Sequence, residues 1–108
     1  MTNTLVTRNG LEVVVQPAGD LVAALVPELR SALREAIADG VREMIVDFSN
    51  VRMVDSTGLG LLISAHNSMR KAGGRVAVTH ASREIVELFK SMRIHQHLSV
   101  SEECVEER

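Results

Sequence analysis

Aromatic residues are almost missing: Phe48 and Phe89 are the 2 % present, with no tryptophan or tyrosine. Base stacking and sugar platforms rely on flat side chains, so nucleic-acid and glycan recognition lose most of their equipment. An excess of positive charge is missing too. Twelve Lys+Arg against fourteen Asp+Glu give a formal net charge of −2, so there is no basic footprint for nucleic acid or an anionic membrane. The single cysteine, Cys104, cannot close an internal disulfide and leaves a cysteine-based metal site without partners. No apolar run approaches the roughly 20 residues of a membrane span. Residues 1–8 lack a basic region followed by an apolar run, so neither a secretory signal nor direct membrane insertion is expected. A cytoplasmic location follows as the expectation.

What is present is an ordinary globular balance, 45 % hydrophobic and 24 % charged over 108 residues, enough for one domain around one core. Composition shifts only at the end, where Ser101-Glu102-Glu103-Cys104-Val105-Glu106-Glu107-Arg108 reads as an acidic tail after a domain spanning 1–100.

Residues 11–16 are β-branched and half-alternating, closed by Pro17 and Gly19, and read as a strand. A shorter strand is expected at 4–8. Asn9-Gly10 lies between them, a hairpin signal because both residues tolerate the positive φ of a type I′ turn. Val26, Leu29, Leu33, Ala36 and Ile37 recur at helical spacing, with Arg30, Arg34, Glu35 and Asp39 opposite and Gly40 as the stop. Met44-Ile45-Val46-Asp47-Phe48 is a compact buried strand. A second helix is expected from about Ser56 to Ala72, its inner stripe formed by Leu59, Leu62, Ile63, His66 and Met69. Gly73-Gly74 ends it, and 75–79 is a further strand. Ser82 caps a third helix, and a last short strand is expected near 98–100. The order β-β-α-β-α-β-α-(β) predicts a single α/β domain with a mixed β-sheet and helices packed against it.

The informative segment is Val51-Arg52-Met53-Val54-Asp55-Ser56-Thr57-Gly58-Leu59-Gly60, at the handover from a parallel strand to a helix. Open α/β sheets place ligands and partners there. Asp55, Ser56 and Thr57 compete for the N-cap. Gly58 and Gly60 each cost a helix about 1 kcal/mol against alanine, which suggests that something approaches that backbone closely. A hydroxyl here suits phosphorylation, because a phosphoserine dianion gains from free amides and the positive dipole end. Plain capping is the simpler reading of Asp-Ser-Thr taken alone. The aspartic-protease signature is rejected, since an extra residue separates Asp55 from Gly58 and the pattern that follows is helical.

Asp55-Ser56-Thr57-Gly58-Leu59-Gly60 resembles the Asp-Ser-(Ser/Thr)-Gly-Leu-Gly signature of STAS domains, the anti-sigma-factor antagonists. The similarity extends over nearly the whole chain, through Gly19-Asp20-Leu21, Ile45-Val46-Asp47-Phe48-Ser49, Gly73-Gly74 and Leu88-Phe89. The resemblance implies a partner switch. Its phosphoacceptor is Ser56, with Thr57 as the secondary hydroxyl, and its kinase is a GHKL-type anti-sigma factor that supplies ATP and Mg²⁺. The unphosphorylated form binds that anti-sigma factor, and a metal-dependent serine phosphatase restores it. Asp55 would cap the helix or orient the Ser56 hydroxyl. Gly58, Leu59 and Gly60 fall in the same partner surface, where the two glycines would admit the partner. Many members carry an aspartate or asparagine after Gly-x-Leu on that surface; here Gly19-Asp20-Leu21 is followed by the apolar Val22-Ala23-Ala24, and the resemblance places Asp20 and Val22 in the partner surface. The resemblance implies neither catalysis nor a cofactor for this chain. Its alternative is an accessory STAS subunit of a lipid-transport ABC system, or of a stress or two-component signalling assembly, without sigma-factor control.

Other features carry less. His95-x-His97 has no nearby carboxylate and is not read as a metal site, and His66 is read as a half-buried packing residue. Met44, Met53, Met69 and Met92 are core or interface filler. A hydrolase with Ser56 as nucleophile needs a general base within reach, and no Gly-x-Ser-x-Gly or paired His/Asp motif supplies one. The apolar run at 22–26 reads first as core packing at the helix start; the alternative is a contact with a partner or a second copy, a homodimer.

Overall fold

Alternation along Glu12–Gln16 (β2) points Val13 and Val15 inward and leaves Glu12 and Gln16 at the opposite face. The computed structural model describes residues 4–91 and 99–100. β2 pairs antiparallel with Leu5–Asn9 (β1) and parallel with Glu43–Asp47 (β3). Arg75–Thr79 (β4) and Ser99–Val100 (β5) extend the sheet in parallel, in the order β1-β2-β3-β4-β5. The register sets Val13 beside Met44 and Val76, and Val15 beside Val46 and Val78.

These two rows are the floor of the core. Val26–Ala38 (α1), Ser56–Lys71 (α2) and Arg83–Ser91 (α3) cover them with Leu29, Leu33, Leu62, Met69, Ile85 and Phe89. Strand order follows chain order, so every β-α-β crossover steps the same way; crossovers of one hand then leave their helices on one face. Phe48 and Phe89 meet edge to face at 6.4 Å under that layer, a favoured aromatic geometry.

The expected elements are all found. Ser82 caps α3, its Oγ accepting from the Ile85 amide at 3.2 Å. Two details differ from the sequence reading. β1 runs on through Asn9, which pairs with Glu12, so the hairpin turns on Gly10-Leu11 and not on Asn9-Gly10. Gly10 alone in that turn has positive φ, 64°, the requirement of a II′ turn and not of I′; Asn9 is spared a left-handed conformation. In α2, Leu61 and Ala65 are buried beside the expected stripe, because α1 lies against that flank. A single periodic stripe shows the face toward the sheet and not the flank toward a neighbouring helix. His66 is half-buried, as expected. His95-x-His97, Met92, the 101–108 tail and Cys104 lie outside the described residues.

Candidate functional site

Asp55 has extended backbone, and its Oδ1 accepts from the Gly58 amide at 2.9 Å, which settles the contest for the N-cap of α2. Its Oδ2 reaches another part of the chain, accepting from the Ala23 amide at 3.0 Å. Asp20 returns the favour: its Oδ1 accepts from the amides of Arg52 at 2.8 Å and Met53 at 3.2 Å. Between them Leu21 donates to the Met53 carbonyl and accepts from the Asp55 amide, an isolated parallel bridge with Val54. The β2–α1 loop and the β3–α2 loop are thus stitched together along their length by backbone donors and two carboxylates.

Ser56 and Thr57 open α2 with exposed side chains. On the two loops joined at this helix start Ala23, Ala24 and Met53 are exposed, Met53 to 59 %, while Val22 and Leu25 are half-buried. A shallow depression of about 330 Å³ lies beside them, lined by Ala18, Gly19, Asp20, Val22, Ala24 and Leu25. The surface therefore has two parts: a hydroxyl pair at a positive helix end, and an apolar collar held against it. Asp20, Val22, Asp55, Ser56 and Thr57 come together here.

Gly58 and Leu59 do not join that surface. Leu59 is 7 % exposed and belongs to the core. A Cβ built on Gly58 would stand 2.2 Å from the Leu21 carbonyl oxygen, so the close approach inferred from its glycine is made by this chain's own loop and not by a partner. Only Gly60 is open, exposed and with nothing within 4 Å of a Cβ. Sequence alone reads Met53 only as core or interface filler, and Asp20 enters only through the resemblance. Both depend on pairing between residues more than thirty positions apart, for which a single chain shows no local signal.

The Gly58 amide, first, and the Ala23 and Thr57 amides after it hold the Asp55 carboxyl below its ordinary value, against an opposing effect of desolvation. A carboxyl lowered in the folded state stabilises the fold above its unfolded pKa of about 4. That contribution is lost as pH falls through the lower folded value. Asp55→Asn is accordingly expected to lower the urea midpoint at pH 7, with the difference from the parent protein closing below about pH 4. A difference that persists undiminished at pH 2.5 would show that Asp55 acts through geometry alone.

A family model for the STAS domain matches residues 3–106. The chain belongs to the STAS domain family. Among curated proteins this STAS chain is similar to the anti-sigma-B factor antagonist of Staphylococcus aureus, 31 % identical over 88 residues that cover 82 % of each chain. The Staphylococcus epidermidis protein of the same name is 28 % identical over the same share. Solved structures share the fold. An anti-sigma-factor antagonist STAS domain protein from Planctomyces limnophilus superposes with a TM-score of 0.81 at 21 % identity, covering 96 % of this chain and 92 % of that one. The anti-sigma factor antagonist SpoIIAA in its unphosphorylated form gives 0.75 at 23 % identity, covering 96 % and 91 %. No helix among the described residues is long and apolar enough to cross a membrane.

Proposed function

We propose that this STAS protein is an anti-sigma-factor antagonist, a regulatory binding protein switched by phosphorylation of Ser56. One observation carries the reading. Ser56 presents an exposed hydroxyl at the first position of α2, next to a carboxylate already engaged as cap, inside an apolar collar suited to a protein partner. The names of the Staphylococcus relatives support the same reading.

The chemistry belongs to a GHKL-type anti-sigma kinase. Ser56 Oγ attacks the γ-phosphorus of ATP, the bond to the β,γ-bridging oxygen breaks, ADP leaves, and the hydroxyl proton passes to a base of the kinase. A metal-dependent phosphatase reverses the modification by hydrolysis. Asp55 accepts from the Gly58 and Ala23 amides, which anchors the backbone just before Ser56 at the helix start.

The test is intact mass and peptide mapping across 53–70 after incubation with the cognate kinase, Mg²⁺ and ATP. One added phosphate on Ser56, absent in Ser56→Ala, is expected. Phosphate on Thr57 alone would keep the mechanism and move the site. No phosphate under any condition would favour a constitutive STAS subunit in a transport or signalling assembly, a reading to which the apolar Val22-Ala23-Ala24 also lends itself.

A further inference from the structure

On the far side of the helical layer from the sheet, α1 and α2 leave a cleft of about 120 Å³ lined by Arg30, Arg34, Leu33, Ile37, Leu61, Ser64, Ala65 and Ser68. Its floor is apolar, with Leu33, Leu61 and Ala65 buried. Its rims are polar and repeat with the helix turn: Arg30 and Arg34 on α1, Ser64 and Ser68 on α2.

The polar groups of this cleft are uncommitted. Among the described residues Arg8 and Arg75 each pair with a carboxylate; Arg30 and Arg34 pair with none, as is also true of Arg42, Arg52, Arg70 and Arg83. Like charges one turn apart oppose each other along a helix, so α1 carries a local cost with no internal compensation. The serines show a parallel contrast. Ser31 and Ser91 donate to carbonyls one turn back in their own helices, and Ser64 and Ser68 make no such bond. Among the described residues no acidic side chain lines the cleft, and α2 contains none.

We propose that the α1–α2 cleft binds a small phosphate monoester, its phosphate between Arg30, Arg34, Ser64 and Ser68 and a short aliphatic substituent on the Leu33–Leu61–Ala65 floor. Two guanidinium forks and two hydroxyls outnumber the acceptor sites of a carboxylate and match the three terminal oxygens of a phosphate. The cleft is well below the roughly 300 Å³ of a drug-sized pocket, a size that suits a phosphate with a short substituent. A phosphate there neutralises the guanidinium repulsion and ties α1 to the helix that begins at Ser56.

Full-length ¹⁵N-labelled protein would be titrated with n-butyl phosphate, inorganic phosphate and sodium chloride at one ionic strength. Saturable shifts confined to amides of 30–37 and 61–68 are expected for both phosphates. Half-saturation for butyl phosphate is expected at least about fourfold lower, the worth of one buried methylene. Arg30→Gln/Arg34→Gln is expected to weaken binding more than tenfold while unfolding at the same or a higher urea concentration, since it removes like-charge repulsion. Linear shifts, an equal response to chloride, equal affinity for the two phosphates, or a double variant that binds as well as the parent would each overturn the assignment.

Discussion

Phosphorylated on Ser56, the protein is expected to bind its anti-sigma partner at least about 100-fold more weakly than the unmodified form. The modification adds about −1.5 to −2 charges beside the Asp55 carboxylate, whose own ionised state is secured by the Gly58 amide. In the free protein the new dianion stays in water at a helix N-terminus, where the dipole returns roughly 0.3–1 kcal/mol. In the complex it would be desolvated within the collar of Val22, Ala23, Ala24 and Met53. Like charges brought together in an interface cost several kcal/mol, and each 1.4 kcal/mol is about tenfold in affinity. Repulsion therefore wins in the complex while the fold is left alone. Calorimetry with the two purified forms measures the ratio, and matching urea midpoints confirm an intact domain. Ser56→Ala is expected to bind within a few-fold of the unmodified protein and to ignore the kinase. Equal affinity of the phosphorylated and unmodified forms would sink the switch.

Gly58→Ala is expected to destabilise the domain by about 2 kcal/mol or more, against the gain that alanine ordinarily brings to a helix. The added carbon would meet the Leu21 carbonyl oxygen at 2.2 Å and Leu21 Cγ at 2.9 Å. Neither can retreat cheaply. That carbonyl accepts from the Asp55 amide, and the Leu21 side chain is fully buried. Moving them loosens the stitching that sets the collar against Ser56, so partner binding should weaken along with stability. Gly60→Ala is the control, with open space around its Cβ and an exposed position in the same helix. There the helix propensity of alanine acts alone, worth up to about 1 kcal/mol, or roughly 4–8 °C in Tm. Opposite signs at two glycines two residues apart are the expected result; two losses of similar size would mean that Gly60 is also packed.

Much of the architecture was legible because it rests on local periodicity. Val26, Leu29, Leu33 and Ala36 repeat at helical spacing, and all four are buried. Val13 and Val15, at alternate positions of a β-branched run bounded by Glu12 and Gln16, lie inward, and Ser82 caps α3 as its position implies. What was misread depends on partners distant in sequence. The hairpin turned one residue further on, on Gly10-Leu11, because one positive φ was enough and Gly10 could supply it. Leu61 and Ala65 are not among the expected stripe because nothing in α2 announces that α1 lies along its flank.

The site divides in the same way. Asp55-Ser56-Thr57 at a strand-to-helix handover was enough to locate the cap and the candidate phosphoacceptor, since capping uses amides two and three residues on and leaves its mark in adjacent residues. Which of the flanking residues face outward was decided only by tertiary structure. Gly58 and Gly60 look alike in the chain, yet one is filled by Leu21 and the other stands open. Asp20 and Met53 acquire their places through hydrogen bonds between two loops more than thirty residues apart. Local sequence carries the short-range bonds of turns and caps; the shape of a surface is set by which distant backbone lies beside it.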